Sequence, residues 1–353
     1  MRRTYILCLM VGILTIMASC DKEESPDGNY QSGVLITSEG LRNNNDGSIS
    51  YFDKKSNTMV NNLFFEQNSR DLGDVVQSVA VAEGKAFIVV NNSKKMEVVD
   101  LKDFKSIGVI TNLSYPRYFL GVTKTKGYLT NGGFPGELKV IDMENILITK
   151  TIEIGNQPEK LIKVNNKVFV VNGKWGADST VSVIDINTDE VIKTINVGHG
   201  TNDLVEDANG KVWVLCQGKV VYDSTWVNII EETDSKIVRI NPDTYEVELN
   251  MIIGQTGDYY NPQNLAIDPS GTTIYFDEAF GVNAMRINAT EPPTLPLINK
   301  GFYGLEIDPE NGDIYGLDAG LFTTAGYLYR YKNTSVLIDT FQVGIGPNCA
   351  VFY

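Results

Sequence analysis

The chain has 353 residues, 42% of them hydrophobic and 21% charged, with 32 glycines and a formal net charge of −14. The length allows a sizeable core, and the acidic balance excludes nucleic acid and an anionic bilayer surface as partners. Most of the carboxylates read as solvated turn residues, and the charge favours a neutral or cationic ligand.

Arg2 and Arg3 precede an apolar run over residues 5–17, which ends in Ala18, Ser19 and Cys20. A positive end, a short apolar stretch and small residues predict a secretory signal peptide over residues 1–19. The run is too short, with the wrong flanks, for a stable transmembrane helix. Small residues directly before a cysteine resemble a bacterial lipobox, which implies lipidation of Cys20. The cluster Asp21, Lys22, Glu23 and Glu24 behind it resembles the export signal of Bacteroidetes surface lipoproteins. Residues 20–31, with Pro26, Asp27 and Gly28, read as a flexible tether. Removal of the signal leaves 28 basic against 44 acidic side chains, a net charge of about −16. Cys8 departs with the signal. Cys216 and Cys349 fall in separate repeats and are expected as free buried thiols.

From residue 32 to 353 the chain is repetitive. The clearest unit spans 158–200, where segments 160–164, 167–171, 180–184 and 191–197 alternate with period two between polar stretches, the pattern of a four-stranded antiparallel meander. First strands start near Val75, Pro116, Pro158, Asn202, Pro262, Phe302 and Pro347, so there are seven units. Spacings are about 40–45 residues, the period of a propeller blade, except where an insertion at 218–234 lengthens one loop. The second segments (86–90, 127–130, 168–171, 212–215, 274–276 and 314–317) are the most apolar and read as central strands. The third segments end in Asp53, Asp100, Asp142, Asp185, Asn241 and Asn288. These are read as turn residues that bond the backbone two positions on, since no further ligands follow at calcium-loop spacing. Segments 34–38, 48–52 and 59–65 supply three strands, and 347–352 supplies a fourth that removes both free edges. The expected fold is all-β: a seven-bladed β-propeller of four-stranded blades, closed by the C-terminal strand joining the N-terminal blade.

The runs VFVVN, VSVID and VIKTINVG, at 168–172, 181–185 and 191–198 with Thr188 between the last two, are similar to the YVTN or YncE-like seven-bladed propeller repeat. Together with the lipobox and acidic tether, the whole chain resembles surface propeller lipoproteins of Bacteroidetes, including the BtuG type. That resemblance implies a lipid-anchored outer-membrane protein facing the extracellular side. It would bind cobalamin (vitamin B12) or a related corrinoid, need no cofactor of its own, and pass the ligand to a TonB-dependent transporter. Contact with the membrane would run through the lipid anchor alone.

In this connection order the loops between second and third strands share a face with the crossovers into the next blade, and that face is usually the working one. It carries Tyr115, Arg117, Asn131, Phe134, Asn172, Trp175, His199, Asn202, Trp226, Tyr259, Tyr260, Phe280, Tyr303 and Phe322, with Gln157, Lys174 and Asn348 beside them. The opposite face has short polar turns. Rigid aromatics can cover a large ligand while Arg117, Asn131, Asn172 and Asn202 bond its polar periphery. His199, the single histidine, reads as a loop residue, because a lone imidazole makes a poor metal site. No nucleophile elbow, zinc-binding histidine pair, P-loop or dinucleotide fingerprint is present, so a binding protein is expected rather than an enzyme. The alternatives are a glycan- or protein-binding propeller and, third, a lyase or lactonase using Glu278 with Asp318.

Overall fold

Strands such as Lys85–Val90 and Lys167–Asn172 are apolar at nearly every position, which suits strands covered on both faces. They form the second strands of antiparallel sheets in a computed structural model that describes residues 30–257, 261–278 and 281–353. The sheets are seven blades in a ring. Their inner strands, in ring order, are Val76–Ala82, Pro116–Gly121, Pro158–Val164, Thr201–Glu206, Leu265–Ile267, Gly304–Ile307 and Pro347–Phe352. We number the blades one to seven in that order.

Blade seven joins the two ends of the described chain. Pro347–Phe352 pairs antiparallel with Val34–Ser38, from Val34 opposite Phe352 to Ser38 opposite Pro347. The expected closure is therefore present. The third segment of this blade is shorter than predicted: the strand is Thr58–Val60, and Leu63–Asn68 is a helix. Asn62 takes a left-handed conformation that breaks the strand, and the helix buries Leu63 and Phe64 instead.

Two other departures have local causes. The insertion in blade four is itself ordered, with Val220–Tyr222 pairing with Ile229–Glu232 as a projecting hairpin. In blade five three strands are paired, and at the fourth place a single bridge joins Val282 to Ile298. Pro292, Pro293 and Pro296 precede that bridge, and proline has no N–H to give to a ladder.

Packing between blades is systematic. Seven buried apolar clusters occur among the described residues, one at each junction between neighbouring blades. At one register position of the second strand six blades place a buried aromatic: Phe87, Tyr128, Phe169, Trp213, Tyr275 and Tyr315. Each such burial contributes about 2–3 kcal/mol before the entropy of ordering is counted.

The third-strand acidic and amide residues act as turn residues. Asp53, Asp100, Asp142, Asp185 and Asn241 each accept the backbone N–H two residues on, at 2.7–3.0 Å. No group of three or more His, Cys, Asp or Glu side chains placed to hold a metal occurs among the described residues. Cys216 and Cys349 are free and buried, and burial pushes both thiols up to about 12.

Candidate functional site: the axial mouth

The inner strands of five blades begin with a register shift against the second strand, seen at Val76/Ser78, Pro116/Phe119, Pro158/Leu161, Thr201/Asp203 and, across the closing pair, at Thr37/Ser38. Side chains normally alternate across a strand. A bulge interrupts that alternation, so two consecutive residues can address the same side. Here that side is the ring axis. The first axial position holds Gln77, Arg117, Glu159, Asn202, Gln263, Tyr303 and Asn348, all of which line the cavity except the buried Glu159. The second includes Tyr118, Lys160, Asn264 and Cys349 at the cavity wall and Asp203 buried behind it.

Around the first position runs a closed polar belt. Arg117 donates twice to Glu159, from Nε at 2.6 Å and Nη2 at 2.9 Å, and once to Gln77. Lys174 donates to Asn202 at 3.0 Å and lies 3.9 Å from Glu159. Asn202 donates to the Gln263 carbonyl at 2.6 Å, and Asn264 reaches the Tyr303 carbonyl at 3.4 Å. The Tyr303 hydroxyl donates to Glu39 at 2.9 Å. Asn348 donates to Glu39 at 3.2 Å and to the Gln77 carbonyl at 2.9 Å, which completes the circuit.

Burial governs the charges in this belt. Arg117 and Glu159 are 5% and 1% exposed. Burial alone would lower the Arg117 pKa, but the Glu159 carboxylate outweighs it and keeps the guanidinium charged. The Lys174 ammonium is held below its usual range, first by burial and then by repulsion from Arg117 and Lys160. Glu39 is raised, chiefly by burial. One layer down, Lys160 lies 2.7 Å from Asp203 and 3.8 Å from Glu306. Those two carboxylates overcome burial and hold the Lys160 pKa well above the ordinary lysine value.

The belt surrounds a cavity of about 790 Å³ that opens on the predicted face. Its walls include 2–3 loop residues (Asn91, Asn92, Lys174, Trp175, Phe322) and crossover residues (Tyr115, Gln157, Gln263, Tyr303). Two aromatic pairs flank it. Tyr115 and Trp175 have ring centroids 6.0 Å apart, and Tyr303 meets Phe322 edge-on at 4.8 Å. Trp175 is held outward by a left-handed backbone within a single 3₁₀ turn, and is 65% exposed.

Six of the fourteen sequence candidates line this cavity: Tyr115, Arg117, Trp175, Asn202, Tyr303 and Phe322. Asn131 and Asn172 are buried behind it. The Asn131 carbonyl oxygen accepts the N–H groups of Ser114 and Tyr115, so it positions Tyr115 rather than facing the opening. Asn172 donates to Thr180 and Ser182 inside blade three. Phe134 and Trp226 are 71% and 80% exposed on loops outside the cavity wall. Trp226 sits at the tip of the inserted hairpin, where its ring meets Tyr222 at 6.1 Å. His199 is half-buried outside the cavity, and among the described residues its Nδ1 has no hydrogen-bond partner. Tyr259, Tyr260 and Phe280 lie outside the described residues, as does the side chain of Glu278. Asp318, its suggested partner, is ion-paired with Lys300 at 2.7 Å.

Glu39, Gln77, Glu159, Lys160 and Glu306 escaped the loop-based search. A signal for Glu159 was present, because the residue directly after the first-strand marker is polar in six of the seven units, Val76 being the exception. Loop reasoning passed over it, since a regular strand would have turned half of these residues away from the axis.

The sequence family described as "Domain of unknown function (DUF5074)" matches residues 32–340. No functionally curated protein matches the chain in sequence. Among solved structures it is similar to a quinoprotein alcohol dehydrogenase-like protein from Bacteroides thetaiotaomicron, with a TM-score of 0.69 and 15% identity over 92% of this chain and 79% of that one. It is also similar to hydrazine synthase of Kuenenia stuttgartiensis, with a TM-score of 0.61 and 15% identity over 84% and 95% of the two chains. A third similar structure is apo AztD from Citrobacter koseri, with a TM-score of 0.55 and 10% identity over 90% and 97%. At these identities the likeness is one of fold, the seven-bladed β-propeller.

Proposed function

The chain belongs to the DUF5074 family, a family described without a function, and we propose that it is a binding propeller that captures cobalamin or a related corrinoid at the axial mouth. The observation that carries this reading is the closed polar belt around an open cavity, flanked by Tyr115, Trp175, Tyr303 and Phe322. A corrinoid is a broad apolar macrocycle fringed with amides. It is larger than the cavity, so it would seat one edge among Gln77, Arg117, Asn202 and Asn348 while its face lies against the aromatic rim. The proposed step is binding, with no covalent chemistry.

In this reading the chain is anchored in the outer membrane through Cys20 and delivers the ligand to a TonB-dependent transporter. The point of chain entry supports capture from outside. Val34 pairs with Phe352, at the end of the inner strand away from the mouth, and the Gly33 N–H donates to the Tyr353 carbonyl there. An anchor upstream of Tyr30 would therefore attach at the end of the ring away from the mouth. Metabolic labelling with a fatty-acid analogue tests the anchor: label that persists in Cys20→Ala counts against it.

The binding reading is tested by mixing the purified chain with cyanocobalamin on a sizing column. Co-elution of the red chromophore with protein is expected, and colour confined to the small-molecule fraction overturns the corrinoid assignment. A second reading, a glycan, is favoured by the exposed Trp175 and the half-buried Tyr115 beside Arg117, and a glycan array tests it.

A further inference from the structure

Below the two polar layers the inner strands present a third axial position, again in register. Six blades place Ala80, Leu120, Ile162, Val205, Ala266 and Val351 there, and blade six places Glu306. One carboxylate thus interrupts an apolar ring at the floor of the cavity. An ionised carboxylate in such surroundings is costly unless something bonds to it. Its side chain is 27% exposed toward the opening, and the one cation within 4 Å of it among the described residues is Lys160. That ammonium is already bonded to Asp203 at 2.7 Å and stands 3.8 Å from Glu306. A separation of 3.8 Å exceeds a hydrogen bond, so a donor and an acceptor sit side by side, unjoined, at the bottom of an open site.

We propose that Lys160 and Glu306 form a floor subsite for a primary carboxamide arm of the ligand held at the mouth. The amide N–H donates to Glu306, and its carbonyl accepts from Lys160. This inference rests on reading the mouth as a binding site, and it names the group that reaches deepest. An ammonium in the same place would meet Lys160, and a carboxylate would meet Glu306 and Asp203, so a neutral group that both donates and accepts is the matched chemistry. Burial pushes the Glu306 carboxyl up to about 7, partly offset by Lys160 and reinforced by Asp203; Cys349 also faces this cluster. The acceptor is accordingly strongest above neutral pH.

The test uses small probes with the chain. Propionamide, 1-propanol, propionate and propylammonium are titrated by ligand-observed NMR at pH 8 and pH 5.5 against wild type, Glu306→Leu and Glu306→Gln. Propionamide is expected to bind wild type at pH 8 better than the other three. Its binding should weaken about tenfold in Glu306→Leu, the loss of a hydrogen bond to a charged group, and should weaken in the same direction at pH 5.5. Glu306→Leu continues the apolar ring and is expected to fold. Glu306→Gln keeps the shape and should show an intermediate loss. Absence of propionamide binding at pH 8, equal binding by Glu306→Leu, or equal binding of 1-propanol overturns the inference. Cyanocobalamin is measured in parallel. If Glu306→Leu binds it with unchanged affinity, the floor subsite fails while the mouth reading stands. If wild type ignores it yet seats propionamide, the corrinoid assignment fails and the subsite stands.

Discussion

Arg117 of blade two and Glu159 of blade three face each other across a blade junction through two parallel hydrogen bonds, of 2.6 and 2.9 Å, with both side chains almost wholly buried. This pair is where the polar lining of the mouth is also part of the structure. A bidentate fork is the strongest form of such a contact, yet each partner depends on the other for its solvation.

Removing one partner is therefore expected to cost much more than removing both. Arg117→Met leaves a buried carboxylate and should destabilise the chain by about 3–5 kcal/mol in urea unfolding. The double variant Arg117→Met with Glu159→Leu should recover most of that loss. Equal destabilisation by the single and double variants would contradict the pairing.

Glu306 makes a pH prediction with a definite sign. Its folded pKa, about 7, lies above the ordinary glutamate value of 4.5, so the native state holds a proton that the unfolded chain releases. Its contribution is fully present below about pH 4.5 and is lost as pH rises toward 7. Chemical denaturation from pH 4.5 to 8 should show wild type losing stability relative to Glu306→Gln across that window. Parallel curves for the two proteins would show that Glu306 does not titrate in this way.

Closure of the ring depends on Pro347–Phe352, the inner strand of blade seven. A chain ending at Gly346 loses this ladder and leaves Val34–Ser38 with an unpaired edge. Circular dichroism should then show no cooperative thermal transition. Retention of the wild-type melting temperature would mean that the ring is stable without its fastening.

Trp175 and Trp226 separate the mouth from the wider face. Trp175 lines the cavity, so Trp175→Ala should weaken cyanocobalamin binding about thirtyfold, an effect of hot-spot size. Trp226→Ala should leave the affinity within about twofold, because this residue stands on the hairpin outside the wall. Calorimetry on both variants checks this, and the reverse ranking would place the ligand on the hairpin.

The division between chain and fold is clear in these residues. Periodicity alone determined the blade count, the central strands and the closing strand, because alternation and turn chemistry act within a few residues of each other. Asp185 illustrates this: its turn role follows from its neighbours and is what the fold shows. Position relative to the ring axis is a different matter. Trp226, Phe134 and Asn131 share a face with Trp175 in the sequence reading, but an ordered hairpin carries Trp226 outside the cavity wall and hydrogen bonds draw Asn131 behind Tyr115. The bulges that bring Arg117, Glu159 and Lys160 to the axis, and the register that leaves Glu306 alone in an apolar ring, arise from pairing between strands and between blades. Those contacts join residues far apart in the chain, so only the tertiary structure decided which polar residues would meet at the mouth.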